Sequence, residues 1–396
     1  MKEPPGLLEK LTLTILLISI IFLMPKYVPC NPHGDEAWYY YITKELKWDW
    51  DPHLPFLPPL RWSFMITFNP VTDSLWTLRF AYAAFNVLVT SAAVLLAWNG
   101  RWGSLALALS ALLNPLFLTY SSKVFTSVPA GAAGALSAAL AIRGKVLSAV
   151  LLGIYSVGMW EGMTFFYLGL SLYGIRDRRF LLFLIPASLG LATSLDNVLF
   201  HKRLPGWAKA PLDAKAIVTL FLPEVLVLLH TLIKKRDLLL FLISFSLPAG
   251  LLLDNYLRGT AVQVWYQVPA HLLYSVAIAN SLGEWKGWKY LGALIILAFI
   301  FIGTKAASSL KHDCCAFEIV DFLKVRGEKA VLYKPFWAYA EYPFGEVKKA
   351  ACWDLGCLKW WLKRSSYVVS WEELRLRKLE LVYKGGKCYL YKKVKR

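Results

Sequence analysis

Long uncharged apolar blocks recur through the first three quarters of the chain, and no other feature narrows its fold so far. Leu11 to Met24 and Phe180 to Leu195 are two of them. With their flanks, such blocks approach the roughly 20 apolar residues that a helix needs to cross the hydrocarbon core. Of 396 residues, 57% are hydrophobic and 18% charged. A soluble domain carries about 25% charged residues. The pattern therefore predicts an α-helical polytopic membrane protein with about 11 transmembrane helices. The candidate spans are 7–24, 75–98, 104–120, 126–142, 146–158, 161–174, 180–198, 215–233, 237–253, 267–283 and 288–304. No small-residue cleavage site follows the first block, so it is expected to be retained as a span. The two short spans near 146–174 read as half-helices meeting at Trp160-Glu161-Gly162.

Basic residues set the orientation. Arg101, Arg143 with Lys145, Arg176 with Arg178 and Arg179, Lys234-Lys235-Arg236, and Lys286 with Lys289 fall in alternate short loops. Lysine and arginine collect on the cytoplasmic side, so these loops are expected inside and the last span exits outside. The net charge of +18 is assigned to such loops and to anionic lipid, with no nucleic-acid partner.

Three regions are then external: residues 25 to about 73, the loops around 199–214 and 254–267, and the segment 305–396. The domain reading is 1–304 for the membrane part, including the first external loop, and 305–396 for a small α/β extracytoplasmic domain. The latter shows a helical stretch from Ala316 to Arg326. Strand-like runs follow at Lys329 to Tyr333, Tyr367 to Trp371, Leu379 to Tyr383 and Cys388 to Val394, with Gly385-Gly386 as a hairpin turn. Five of six cysteines lie there and Cys30 lies in the first external loop. An oxidising exterior favours disulfides, with Cys352 and Cys357 the most local pair; a zinc site is the alternative.

The first external loop carries Asn31-Pro32-His33-Gly34-Asp35-Glu36-Ala37-Trp38-Tyr39-Tyr40-Tyr41. Adjacent carboxylates close to the membrane surface, partly shielded from water, suit a base whose pKa is raised. The residues that follow could form an interfacial helix anchored in lipid by Trp38, Tyr39 and Tyr41. The plainer reading has Asp35 capping that helix and Glu36 in its first turn. Further on, four prolines in the eight residues 52–59 stiffen the chain, as a pocket wall or as a simple crossing of the outer rim.

Asp35-Glu36-Ala37-Trp38-Tyr39 after a first span, followed by Pro58-Pro59-Leu60, resembles the membrane glycosyltransferases of the C superfamily, in particular protein O-mannosyltransferases and lipid A aminoarabinose transferases. The order and common sidedness of the motifs carry the resemblance, together with Tyr266-Gln267-Val268-Pro269 entering a late span and the terminal soluble domain. Two positions depart from the pattern: Leu57 precedes Pro-Pro-Leu where relatives often have lysine or histidine, and no carboxylate opens the fourth span near Lys123. The resemblance implies an inverting transfer of a sugar, mannose among the candidates, from a polyprenyl- or dolichyl-phosphate carrier. The acceptor would be a hydroxyl of a glycan, glycolipid or protein on the non-cytoplasmic face. Asp35 would deprotonate that hydroxyl and Glu36 would orient it. Cations at the outer rim would stabilise the phosphate leaving group, with Arg258 first and Lys123, Lys202 and Arg203 after it. Each could equally anchor lipid headgroups. The compartment would be the plasma membrane in a prokaryote or the endoplasmic reticulum in a eukaryote.

Other ionisable residues complete the candidate set. Glu161 is expected on the same side as Asp35, as a pocket residue alongside Tyr39 and His53. Glu224, within span 215–233, reads as a structural carboxyl or a site group. No cofactor is demanded; a divalent metal on His33, His53 and Asp35 is compatible with the spacing. A multi-span transporter or lipid flippase is the alternative, though no internal repeat supports it. A non-catalytic scaffold with a binding ectodomain is the other.

Overall fold

The computed structural model describes residues 17, 20–21, 24, 28, 30–32, 34–45, 61–109, 112, 114–199, 236–258, 262–281, 294, 301, 314–335, 343–386 and 388–394. The chain forms two compact units. One comprises Met1–Pro25 with Leu46–Ala306, and the other Lys26–Glu45 with Ala307–Arg396.

The first unit is helical. Its helices include Leu75–Ala97, Ser127–Ile142, Val146–Met159, Thr164–Leu172, Leu184–Leu199, Leu238–Arg258 and Val264–Ser281. Leu75–Ala97 and Leu238–Leu257 are, among the described residues, the two helices long and apolar enough to cross a bilayer. Ser127–Ile142 and Val146–Met159 are apolar but shorter. The expected span 215–233 lies outside the described residues, and 7–24 and 288–304 are described only at isolated positions.

Three expectations change. The span 104–120 is two helices, Trp102–Leu109 and Pro115–Tyr120. Pro115 has no N–H to donate, and the Asn114 side chain accepts from Leu116 N–H at 2.9 Å, so a new helix starts there. The span 237–253 continues to Arg258, so Asp254 to Arg258 belong to the helix rather than to a loop beyond it. The region 25–73 holds, besides the helix expected at the acidic motif (Gly34–Glu45), a second helix that was not expected, Trp62–Phe68.

Ser127–Ile142 is buried on nearly every face, as a helix mostly of Ala, Gly, Ser and Leu without a polar side must be. Small residues let neighbouring backbones approach closely. A Cβ on Gly131 would lie 2.6 Å from Pro269 Cα in the helix Val264–Ser281. Two serines cross-link this helix to Val146–Met159: Ser137 Oγ donates to Ala149 O at 2.7 Å and Ser156 Oγ to Ala130 O at 2.8 Å. At one end, Arg143 donates to Leu96 O and Trp98 O, and Asn280 Nδ2 to Ala97 O. These bonds satisfy carbonyls that a helix C-terminus leaves open.

The second unit contains a five-stranded sheet: β1 Ala330–Tyr333, β2 Lys349–Cys352, β3 Tyr367–Ser370, β4 Leu379–Gly385 and β5 Cys388–Lys393. Their order is β2-β1-β3-β5-β4. β1 runs parallel to both β2 and β3, whereas β5 is antiparallel to β3 and β4. β1 and β3 are buried throughout and read as unbroken apolar runs, which suits inner parallel strands. Val331, Tyr333, Cys352, Leu358, Val368 and Tyr391 form one core. The edge strand β4 is interrupted by a bulge between Leu381 and Tyr383, which hinders pairing with another chain. Helix Cys315–Arg326 precedes β1 and stops at Gly327, whose φ of 61° is left-handed and whose N–H returns to Leu323 O and Lys324 O. All six cysteines are paired: Cys30 with Cys314, Cys315 with Cys388, and Cys352 with Cys357. The local pair is the one expected, and the zinc alternative gives way to disulfides.

Gly131→Val is expected to destabilise the helical unit by about 1–3 kcal/mol, because the added branch meets backbone rather than a movable side chain. Thermal denaturation of the purified protein measures it; an unchanged midpoint would show that these helices separate at little cost. Cys315→Ala with Cys388→Ala is expected to cost the second unit about 2–5 kcal/mol, read from its denaturant midpoint beside the wild type.

Candidate functional site

The acidic motif lies in the second unit. Asn31, directly after Cys30, clips this segment to the helix Cys315–Arg326. Its Oδ1 accepts from Ala316 N–H at 3.1 Å and its Nδ2 donates to Cys315 Sγ at 3.2 Å. An amide oxygen on a first-turn N–H does the work of a helix cap, here supplied from 285 positions away. With the Cys30–Cys314 bond beside it, this fixes the start of the helix Gly34–Glu45.

Asp35 is the second residue of that helix and Glu36 the third, so Asp35 stands inside the first turn rather than at the cap. The first turn of a helix, with its unsatisfied N–H groups, is a favourable place for negative charge. Glu36 is fully buried. Trp38 is also buried, at 4% exposure, so it packs inside the protein rather than anchoring in lipid as expected; Tyr39 and Tyr41 are half-buried. Lys44 lies over the Tyr40 ring at 5.9 Å.

In the first unit a second polar cluster gathers at one end of the helices. Arg61, at the N-terminus of Trp62–Phe68, is 7% exposed. Its Nη1 donates to Thr126 Oγ1 at 2.7 Å, and its Nη2 lies 3.2 Å from both carboxylate oxygens of Glu161. One guanidinium thus ties three chain segments together. Glu161 opens the 3-10 turn Glu161–Met163 between Val146–Met159 and Thr164–Leu172, the meeting point expected for the two short helices.

Aromatic residues stand next to Thr126 and Glu161 in the chain. Trp160 stacks on Tyr266 at 5.1 Å, and Phe125 on Trp265 at 4.8 Å. Tyr120 meets both Phe125 and Trp265, and Lys123 Nζ sits 4.9 Å from the Tyr120 ring centroid. Ser127 Oγ donates to Trp265 O at 3.0 Å. The loop 121–126 is fixed from beneath: Phe125 N–H and O both bond to Tyr82 OH, and Asn86 Nδ2 donates to Ser121 O. Ser122 Oγ donates to Met24 O, which brings the end of the first apolar block to the same loop. The result is an aromatic-rich end that carries Lys123 besides the Arg61–Glu161 pair.

The structure therefore brings Lys123 and Glu161 to one cluster and Asp35, Glu36 and Tyr39 to one helix. Arg258 is the last residue of Leu238–Arg258. His53, Lys202, Arg203, His33, Glu224 and Pro58-Pro59-Leu60 lie outside the described residues. Among the described residues, no three His, Cys, Asp or Glu side chains stand together as a metal site. Arg61, Thr126 and Trp265 were not anticipated. Arg61 follows directly on Pro58-Pro59-Leu60, a lone cation among apolar residues, and that position is the signal available in the sequence.

Arg61→Gln and Glu161→Gln are expected to couple by about 1–2 kcal/mol in a double-mutant cycle followed by thermal or denaturant unfolding. The pair is mostly buried but not sealed, which keeps this below the cost of stripping a fully buried charge. Strictly additive single variants would show that the contact holds nothing together.

No protein-family model and no curated protein matches the sequence. Among solved structures, the apo crystal structure of ArnT from Cupriavidus metallidurans is similar, with a TM-score of 0.62 and 12% identity over 96% of this chain and 98% of that one. At such identity the likeness is one of fold, and it extends over nearly the whole of both chains.

Proposed function

We propose that the chain is a membrane glycosyltransferase that moves a sugar from a lipid-phosphate carrier to an acceptor hydroxyl on the non-cytoplasmic face. The observation that carries this reading is the fold shared with ArnT along almost the full length. The acidic motif and its covalent anchoring are the supporting detail.

In this reading Asp35 takes the proton of the acceptor hydroxyl as its oxygen attacks the anomeric carbon. The bond from that carbon to the phosphate oxygen breaks, the configuration inverts, and the lipid phosphate leaves with its electron pair. General-base help of this kind contributes about 10²–10⁴ in rate. Glu36, buried one position on, orients the acceptor or the helix start. Arg258, Lys123, Lys202 and Arg203 are the cations proposed to hold the phosphate, while Tyr39, His53 and Glu161 line the substrate path. The aromatic wall of Trp160, Trp265 and Tyr266 suits the first isoprene units of a carrier, since such rings offer large apolar area with a polar edge. Water exclusion by that wall would also protect the glycosyl phosphate from hydrolysis.

The test is sugar release from radiolabelled polyprenyl-phosphate mannose and polyprenyl-phosphate aminoarabinose by the purified protein. Asp35→Asn is expected to lower kcat at least about 100-fold while donor binding stays close to wild type. Equal turnover in the Asn variant would remove Asp35 from the chemistry. Absence of turnover with either donor, together with donor-independent lipid translocation in vesicles, would favour the flippase reading instead.

A further inference from the structure

At the end of the helical unit that carries Arg143 and Asn280, two turns stand side by side. Gly144, Lys145, Val146, Leu147 and Ser148 of one, with Arg179 and Leu182 of the other, line a shallow cleft of about 390 Å³. The two turns hold Arg143, Lys145, Arg176, Arg178 and Arg179 against the single carboxylate of Asp177. Three of these cations are already occupied or directed elsewhere. Arg143 is spent on the carbonyls of Leu96 and Trp98, and Arg176 and Arg178 do not line the cleft. Arg179 gives Nε and Nη2 to Asp177, and neither bond uses its Nη1. Lys145 Nζ has no ion-pair or hydrogen-bond partner among the described residues.

Apolar side chains stand exposed right beside these cations. Leu147 is 67% exposed and Leu182 42%. On the next turns of the same two helical segments, Leu151 and Ile185 are exposed as well. An exposed cation pair with exposed leucines running away from it matches the two halves of a phospholipid. Basic pockets between membrane helices on the cytoplasmic side characteristically take anionic headgroups. The basic loops at 143–145 and 176–179 are the ones that the distribution of lysine and arginine assigns to that side.

We infer that this cleft binds the headgroup phosphate of an anionic phospholipid between Lys145 and Arg179, with an acyl chain along Leu147 and Leu182. Ser148, exposed at the same rim, supplies a hydroxyl to the headgroup. The inference rests on the chain being a membrane protein and is independent of which reaction it catalyses, so a failed sugar-release assay leaves it intact.

The experiment uses the full chain. Native mass spectrometry of detergent-purified protein titrated with phosphatidylglycerol is expected to show one retained lipid, with phosphatidylcholine retained at least about tenfold less, a difference of about 1.4 kcal/mol. Lys145→Gln with Arg179→Gln should lower phosphatidylglycerol retention at least about tenfold. Arg176→Gln with Arg178→Gln, which removes the same charge from outside the cleft, should leave it within about twofold. Equal loss in both double variants would reduce the effect to diffuse surface charge and overturn the site.

A second measurement leaves both cations in place. Because the native cysteines are all paired, Ser148→Cys adds a single thiol. Its alkylation should slow several-fold in phosphatidylglycerol nanodiscs relative to phosphatidylcholine nanodiscs. An unchanged rate would overturn the proposal. Equal protection by inorganic phosphate in detergent would overturn the lipid assignment in favour of a simple anion site.

Discussion

The Arg61 guanidinium holds the polar end of the helical unit together. Around it, three connections that share no local sequence relationship converge: the start of Trp62–Phe68, the loop at Thr126 and the turn at Glu161. A cation this deeply buried is costly unless its donors are met. Thr126 takes its Nη1 and Glu161 its Nη2, and in doing so they fix loops that would otherwise be set only by ring packing. The stacked pairs Trp160–Tyr266 and Phe125–Trp265 then have rigid supports on both sides. Precision at this end thus comes from one charged contact, and bulk from the aromatic rings.

The opposite strategy operates along the bundle. Ser127–Ile142 has almost no functional groups to contribute, and its value lies in smallness. Backbones approach until Gly131 sits against Pro269, and serine hydroxyls bridge to carbonyls of the neighbouring helix. Close packing of this kind and short polar links between helices are what hold apolar helices together where burial from water does not. The helical unit therefore combines a tightly packed middle with two differently charged ends: an ion-paired aromatic one, and an exposed basic one.

Much of this was legible in the sequence, for identifiable reasons. Helices such as Leu75–Ala97 show as unbroken apolar runs, and β3 as a β-branched and aromatic cluster. The junction at Trp160-Glu161-Gly162 was visible because a charge interrupts two short runs. The break at Asn114-Pro115 was present in the sequence too, but the apolar residues on both sides concealed it. β2 was not anticipated, since Lys-Ala-Ala-Cys has no strand pattern of its own and is defined by pairing with β1. Trp38 was misplaced because periodicity marks an apolar face without saying whether lipid or protein covers it. Arg61 was missed for a different reason: its partner lies 100 positions away, and no local pattern encodes a pairing of that range. The Asp35-Glu36 motif was readable from order alone, whereas its attachment to the C-terminal segment through Asn31 was not.

The neighbouring residues Cys314 and Cys315 hold two different segments, Cys30 from far upstream and Cys388 from downstream. That arrangement has a consequence in time. At about 5–20 residues per second, a ribosome needs on the order of 15–60 s to travel from Cys30 to its partner. Throughout that interval the acidic motif exists without its anchor, while the helices between the two cysteines are being made. When Cys314 arrives it comes with a competitor one residue away, so correct capture of Cys30 depends on discriminating between adjacent thiols. The amide of Asn31, bonded to Ala316 N–H and Cys315 Sγ, can set that register noncovalently before the sulfurs join. Covalent anchoring of the acidic motif thus waits for synthesis of the 284 positions that separate the two cysteines and for an oxidant to join them.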